Sequence, residues 1–338
     1  MVKNRRVIVF DRPVYVKSWA SAVGKRESEG PLSKYFDLKF QDDLMDQKSW
    51  ENAEKELVIR AAELCAAKGE MSMGDLDMAM GGDLLNQCTA ASFSMRSFGV
   101  PFMGLYGACS TMAESLLGCA AFIDGGGAKN ALAFASSHFC SAERQYRTPI
   151  EYGSQRTPSA QWTVTGCGAV ALSSENHTGI RVKRAVLGKV VDLGVCDSSN
   201  MGAAMAPAAF DTIAAFFKDS GEEPESYDLI VTGDLATVGK EIVLELCECN
   251  NIKMHKNYDD CGCMIFRSEE CSAGGSGCGC SAVVLTSYIL DRLKLGHFKR
   301  VLFCGTGALL SPVTSFQGES IPGICHLIEL ERENFPLP

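Results

Sequence analysis

Residues Leu105–Ser115 read LYGACSTMAES, and this stretch decides the fold. Gly107 and Ala108 permit a tight turn, and Cys109 sits on it. The apolar run AESLLGCAAFI then predicts a helix that stops at Gly125-Gly126-Gly127. A cysteine at the start of a helix lies in the positive end of the helix dipole, which lowers its pKa and exposes it as a nucleophile requires. The same backbone N–H groups can bind an anion with no covalent step. The alternative is a buried thiol that acts as a small hydrophobe. Outward from this turn, DLDMAM (Asp75–Met80) predicts a strand running into GGDLLNQ (Gly81–Gln87), and ALAFASS (Ala131–Ser137) predicts the strand after the helix. Asp46–Lys68 carries the helical stripe Trp50, Ala53, Leu57, Ala61, Leu64 and Cys65, with Gly69 as its stop. A polar stretch runs from His138 to Gln161, and Thr163–Leu172 reads as a buried strand with a glycine turn. Ile180–Leu193 is strand-like, and Ala203–Lys218 is helical despite Pro207. The chain is α/β.

The pattern occurs twice. DLDMAMGGDL around Asp83 matches YDLIVTGDL around Asp234, and GACS at Gly107–Ser110 matches CGCS at Cys278–Ser281. Cys109 to Ser136 is 27 positions (136 − 109), and Cys280 to Thr306 is 26 (306 − 280). TGCGAVAL (Thr165–Leu172) pairs with GICHLIEL (Gly323–Leu330). Two related halves are therefore expected, residues 1–177 and 178–338, with a ligand cleft between them.

Composition narrows the function. With 338 residues, 46% hydrophobic and 22% charged, the sequence is that of a globular protein. The 32 basic and 41 acidic residues give −9, with no basic block, so no nucleic-acid partner is expected. No run of about 18 apolar residues predicts a membrane span. The apolar start is cut by Asp11, Arg12 and Pro13, so no signal peptide is expected. The sixteen cysteines include three Cys-x-Cys pairs but no zinc knuckle, so the reading is reduced, mostly buried thiols and no metal site.

The small-x-Cys-Ser turn, the duplicated halves and the closing G-x-G-A-V-x-L strand resemble the thiolase-like superfamily. More narrowly, WENAEKEL, GDLLNQ, GACSTMAESL, ASSHFCSAERQYR, PIEYGSQ, DLGVCDSSNMGAAMAPAAFDTI, AGGSGCGCSAVV and GTGALLSP are similar to the stage V sporulation protein AD family of endospore-forming bacteria. The resemblance implies a thiolase-like fold of two pseudo-symmetric halves in a layered αβαβα architecture. It also implies a non-enzymatic role, binding dipicolinic acid or its calcium chelate for uptake into the developing spore. Small membrane proteins of the same sporulation operon are the implied partners. A homodimer formed through a strand near the Cys109 turn is implied too. The chain would then be made in the cytoplasm and held at the spore inner membrane through its partners.

Acyl-transferring members of the superfamily need a His, an Asn or a second Cys around the nucleophile to activate it and stabilise an oxyanion. At the matching places this chain has Asp234 in GDLATVG, Ser276 in GGSGCGCS and Thr306 in CGTGALL. An Asp there would raise the thiol pKa. The competing reading is an acyltransferase using Cys109 with His138 as its base. For dipicolinate, a flat pyridine with two carboxylates, the candidate ligand-binding residues are Cys109, Ser136, Ser137, His138, Ser276 and Thr306, with Arg144 and Arg147 as cations. Asp83 and Asp234 either hold a calcium ion carried with the ligand or hold their loops through backbone N–H groups. No resident cofactor is expected.

Overall fold

The structure, a computed structural model, describes residues 6–146, 156–254, 256–267 and 271–333. Among the described residues thirteen strands run in chain order: β1 Val7–Val23, β2 Leu38–Lys39, β3 Met78–Gly82, β4 Phe102–Gly104, β5 Asn130–Ser137, β6 Gln161–Thr163, β7 Gly166–Ser173, β8 Ile180–Val186, β9 Leu229–Thr232, β10 Tyr258–Asp260, β11 Gly274–Ser276, β12 Arg300–Ala308 and β13 Gly323–Arg332. The main sheet has the order β10-β9-β12-β13-β8-β1-β7-β5-β3-β4, with β2 beside β1, and β11 pairs separately with β6. Within each half the strands lie in the same spatial order, and each half mixes parallel with antiparallel neighbours: β3 is parallel to β5 and β9 to β12, whereas β7 and β13 run against β5 and β12.

The strand β1 joins the two halves. Its residues Val7–Tyr15 pair antiparallel with β8, and Tyr15–Val23 pair antiparallel with β7. Helix Thr111–Asp124 packs on β5, β3 and β1 and also on β12 and β13, so it lies between the half-sheets. Helix Cys278–Val284 shares that layer, against β7 and β5. A central apolar core fills this layer, with Met112, Leu116, Val283 and Phe303 fully buried. A second core covers the outer face of the first half under helix Trp50–Lys68, and a third lies under helix Met201–Ser220. The result is the expected αβαβα layering. β5 and β7 are buried along nearly their whole length and built of small residues, as strands covered by helices on both faces must be.

Several boundaries differ from the sequence reading. Helix Trp50–Lys68 starts four residues later than Asp46, because the Ser49 hydroxyl caps it by accepting from the Asn52 amide. The polar stretch after His138 contains a helix, Phe139–Tyr146. β8 ends at Val186 rather than Leu193. All sixteen cysteines are free; Cys196 and Cys249 are exposed, and most of the others are buried. Among the described residues no helix is long and apolar enough to cross a membrane.

Candidate functional site

The Cys109 turn is a single 3-10 turn, Ala108–Ser110, leading directly into helix Thr111–Asp124. Ala108 has φ 51°, in the left-handed region that an alanine adopts only under constraint. The constraint is local: the Ser110 hydroxyl donates to the Gly107 carbonyl at 2.7 Å and the Thr111 hydroxyl to the Ala108 carbonyl at 2.6 Å. β12 passes close behind. A Cβ on Gly307 would stand 2.8 Å from the Gly107 carbonyl, so only glycine lets the strand approach the turn.

The second half delivers three side chains to the thiol. β9 and β12 pair in parallel with Thr232 opposite Cys304, which sets Thr306 beside the loop after β9. There the Thr306 hydroxyl donates to Asp234 Oδ1 at 2.8 Å and accepts from the Asp234 amide at 2.9 Å. Ser276 Oγ donates to Asp234 Oδ2 at 2.8 Å, the Gly277 amide donates to the same oxygen at 3.1 Å, and Ser276 Oγ lies 3.9 Å from Cys109 Sγ. Asp234 is fully buried, and burial outweighs these donors and raises its pKa. The Cys109 thiol is pushed well above its ordinary value, first by burial and then by the negative field of Asp234. The lowered pKa expected from the helix start is thus reversed, because a dipole of partial charge cannot offset desolvation beside a carboxylate.

A cavity of about 100 Å³ opens over this group. Ala108, Cys109 and Ser276 form its floor, and Leu84, Ala142, Glu143, Tyr146, Thr163, Ser198, Ser199, Met201, Ala308 and Leu310 its walls. Of the residues proposed from sequence, Cys109 and Ser276 line it, while Asp234 and Thr306 stand behind Ser276. The others that the structure describes face elsewhere. Asp83 is buried, and its two oxygens accept from the Leu85 and Ala91 amides, each at 2.8 Å, so it holds its own loop. Ser136 donates to Glu54 at 3.1 Å, and Ser137 donates to the Val164 carbonyl at 2.6 Å and accepts from the Gly279 amide at 2.9 Å. Arg144 pairs with Glu51 and lies over Trp50, on the outside. Arg147 lies outside the described residues.

His138 is no base for Cys109. Its Nε2 lies 2.7 Å from the Asp43 carbonyl, and its Nδ1 accepts from the Cys140 amide at 3.1 Å. Both ring nitrogens are engaged by backbone, and burial disfavours the charged form. Among the described residues no group of three or more His, Cys, Asp and Glu could hold a metal ion, and Asp83 and Asp234 each engage both carboxylate oxygens with donors of the protein itself.

Two wall segments escaped the sequence reading. Ala142, Glu143 and Tyr146 share one helix face, but the helix has only eight described residues, too few for its period to stand out in a polar stretch. Ser198 and Ser199 precede helix Met201–Ser220, whose cap Asn200 accepts from the Ala203 amide at 3.4 Å. The polar DSSN ahead of an apolar run was the available signal.

The sequence model of stage V sporulation protein AD matches residues 4–331. The chain belongs to the stage V sporulation protein AD family. It is 44% identical over 330 residues to stage V sporulation protein AD of Bacillus subtilis (strain 168), covering 97% of each chain. Among solved structures, cerulenin-bound OleA of Xanthomonas campestris aligns with TM-score 0.63 at 13% identity, over 96% of this chain and 98% of that one. The 3-oxoacyl-[acyl-carrier-protein] synthase III of Aquifex aeolicus VF5 aligns with TM-score 0.59 at 14% identity, over 94% and 99%. At that identity the likeness establishes a thiolase-like fold. This chain thus carries that fold with a carboxylate, a serine and a threonine grouped around its turn cysteine.

Proposed function

We propose that this member of the stage V sporulation protein AD family binds dipicolinic acid, free or as its calcium chelate, for uptake into the developing spore, and performs no chemistry on it. One observation carries the reading: the group facing Cys109 is a buried carboxylate whose oxygens already accept from Thr306, Ser276 and Gly277. A thiol whose pKa is raised by burial and by a neighbouring carboxylate is poorly disposed to form a nucleophilic thiolate. The cavity instead offers apolar walls from Leu84, Ala142, Met201 and Leu310, with hydroxyls from Thr163, Ser198, Ser199 and Ser276. Apolar walls with a few convergent polar groups suit a small aromatic acid. In this role the protein works as a homodimer at the spore inner membrane, beside the membrane proteins of its operon.

Calorimetry with dipicolinate, with and without calcium, together with intact-mass measurement after incubation with acyl-CoA, tests this. Binding heat and no acyl adduct are expected, with Cys109→Ser keeping the binding and Cys109→Trp losing it by filling the cavity. An adduct on Cys109 that is absent from Cys109→Ala would establish the acyltransferase reading instead.

A further inference from the structure

Among the described residues that line the cavity, Glu143 is the single charged one. Its carboxylate is held by Arg156, Nη2 to Oε1 at 3.0 Å, and the two side chains are only 16% and 13% exposed. The guanidinium is fixed from other sides as well. Nη1 donates to the Gln161 carbonyl at 2.9 Å, and the group lies 4.6 Å from the Trp162 ring and 5.3 Å from Phe139, two rings stacked 4.1 Å apart. Gln161 in turn donates from its side chain to the Asp234 carbonyl, which ties this arrangement to the cavity floor.

An aromatic dicarboxylate entering the cavity meets the Glu143 carboxylate, and like charges in a dry wall repel. The cation that could receive the ligand stands directly behind that carboxylate, pre-set by aromatic stacking in the planar, forked geometry that carboxylates accept best. We infer that Arg156 is the carboxylate-receiving group of this cavity and that Glu143 is its place-holder, displaced from the guanidinium when an anionic ligand binds. The inference rests on the dipicolinate reading and adds the residue that recognises the ligand's charge. Exchange of one carboxylate for another keeps the guanidinium paired throughout.

The test is calorimetry with dipicolinate and with benzene-1,3-dicarboxylate on wild type, Arg156→Gln, Arg156→Lys and Glu143→Gln, each checked for folding by circular dichroism. Arg156→Gln should weaken binding roughly tenfold to a hundredfold, as loss of a charge-assisted pair does. Arg156→Lys should lose less, and Glu143→Gln should bind several-fold more tightly because the competing carboxylate is gone. If wild type binds and Glu143→Gln binds no better, or folded Arg156→Gln or Arg156→Lys binds as wild type does, the inference fails while the binding reading stands. If wild type binds neither acid, both fail. Should Arg156→Gln not fold, the Arg156→Lys and Glu143→Gln arms decide it.

Discussion

At Asp234 a single side chain sets the chemistry of Cys109. Burial and then its field raise the thiol pKa, while its hydrogen bonds to Ser276 and Thr306 lock the loops that carry them. Replacing Asp234 by Asn removes the negative charge and keeps the shape. The Cys109 thiol should then become more acidic, and its alkylation by iodoacetamide at pH 8, followed by peptide mass mapping, should speed up roughly tenfold for each pKa unit recovered. An unchanged rate would show that burial alone holds the thiol neutral. Asp234 and Thr306 were legible from the repeated pattern, which brings matching strand ends to the cleft, and Ser276 from the resemblance of its Gly-rich turn to the thiolase-like superfamily. The errors have the same origin. Ser136 and Ser137 also end a strand, but consecutive residues point to opposite faces, and here one meets Glu54 and the other the Val164 carbonyl. Sequence spacing cannot say which neighbour waits on each face.

The elements that shape the site depend on close backbone approach. Gly82 ends β3, and a Cβ there would stand 1.9 Å from the Leu105 carbonyl, backbone that cannot yield. Gly82→Ala should therefore lower unfolding free energy by about 3 kcal/mol, read from urea midpoints. Gly104→Ala is the control. Its nearest contact would be the Phe102 ring at 3.4 Å on an exposed edge strand, and stability should change little. The long amphipathic and wholly apolar elements were legible because burial writes a period into the sequence, as in helices Trp50–Lys68 and Thr111–Asp124. Helix Phe139–Tyr146 was not, since it buries only Ser141 and Ala142 and owes its place to packing by neighbours. The reach of β1 was hidden for a related reason. Asp11, Arg12 and Pro13 interrupt its apolar pattern where its pairing with β8 shifts register between Val9 and Val14.

At the scale of the whole molecule, several acids lie fully buried. Glu27 and Asp260 are pushed up to about 7, first by burial, and Glu54 is raised by burial and then by the field of Asp83. Unfolded, each would titrate near the ordinary carboxylate value of about 4. Between that value and about 7 the folded chain holds protons that the unfolded chain has lost. Stability is then full on the acid side of this window and falls as pH rises through it, by up to about 1.4 kcal/mol per pH unit for each such group. Urea unfolding at pH 5.5 and 7.5 should show the loss, and Glu27→Gln should shrink it; a wild type equally stable at both would contradict the assignment. The seam between the halves has a consequence of another kind. A seventeen-residue strand hems both half-sheets, and it comes first in the chain. The halves look alike but cannot be exchanged, since only one brings its own border. Trimming the opening residues would bare the β8 margin, an unpaired row of amides and carbonyls ready to recruit a foreign strand. Strand β1 thus shields an edge that would otherwise stand open to pairing.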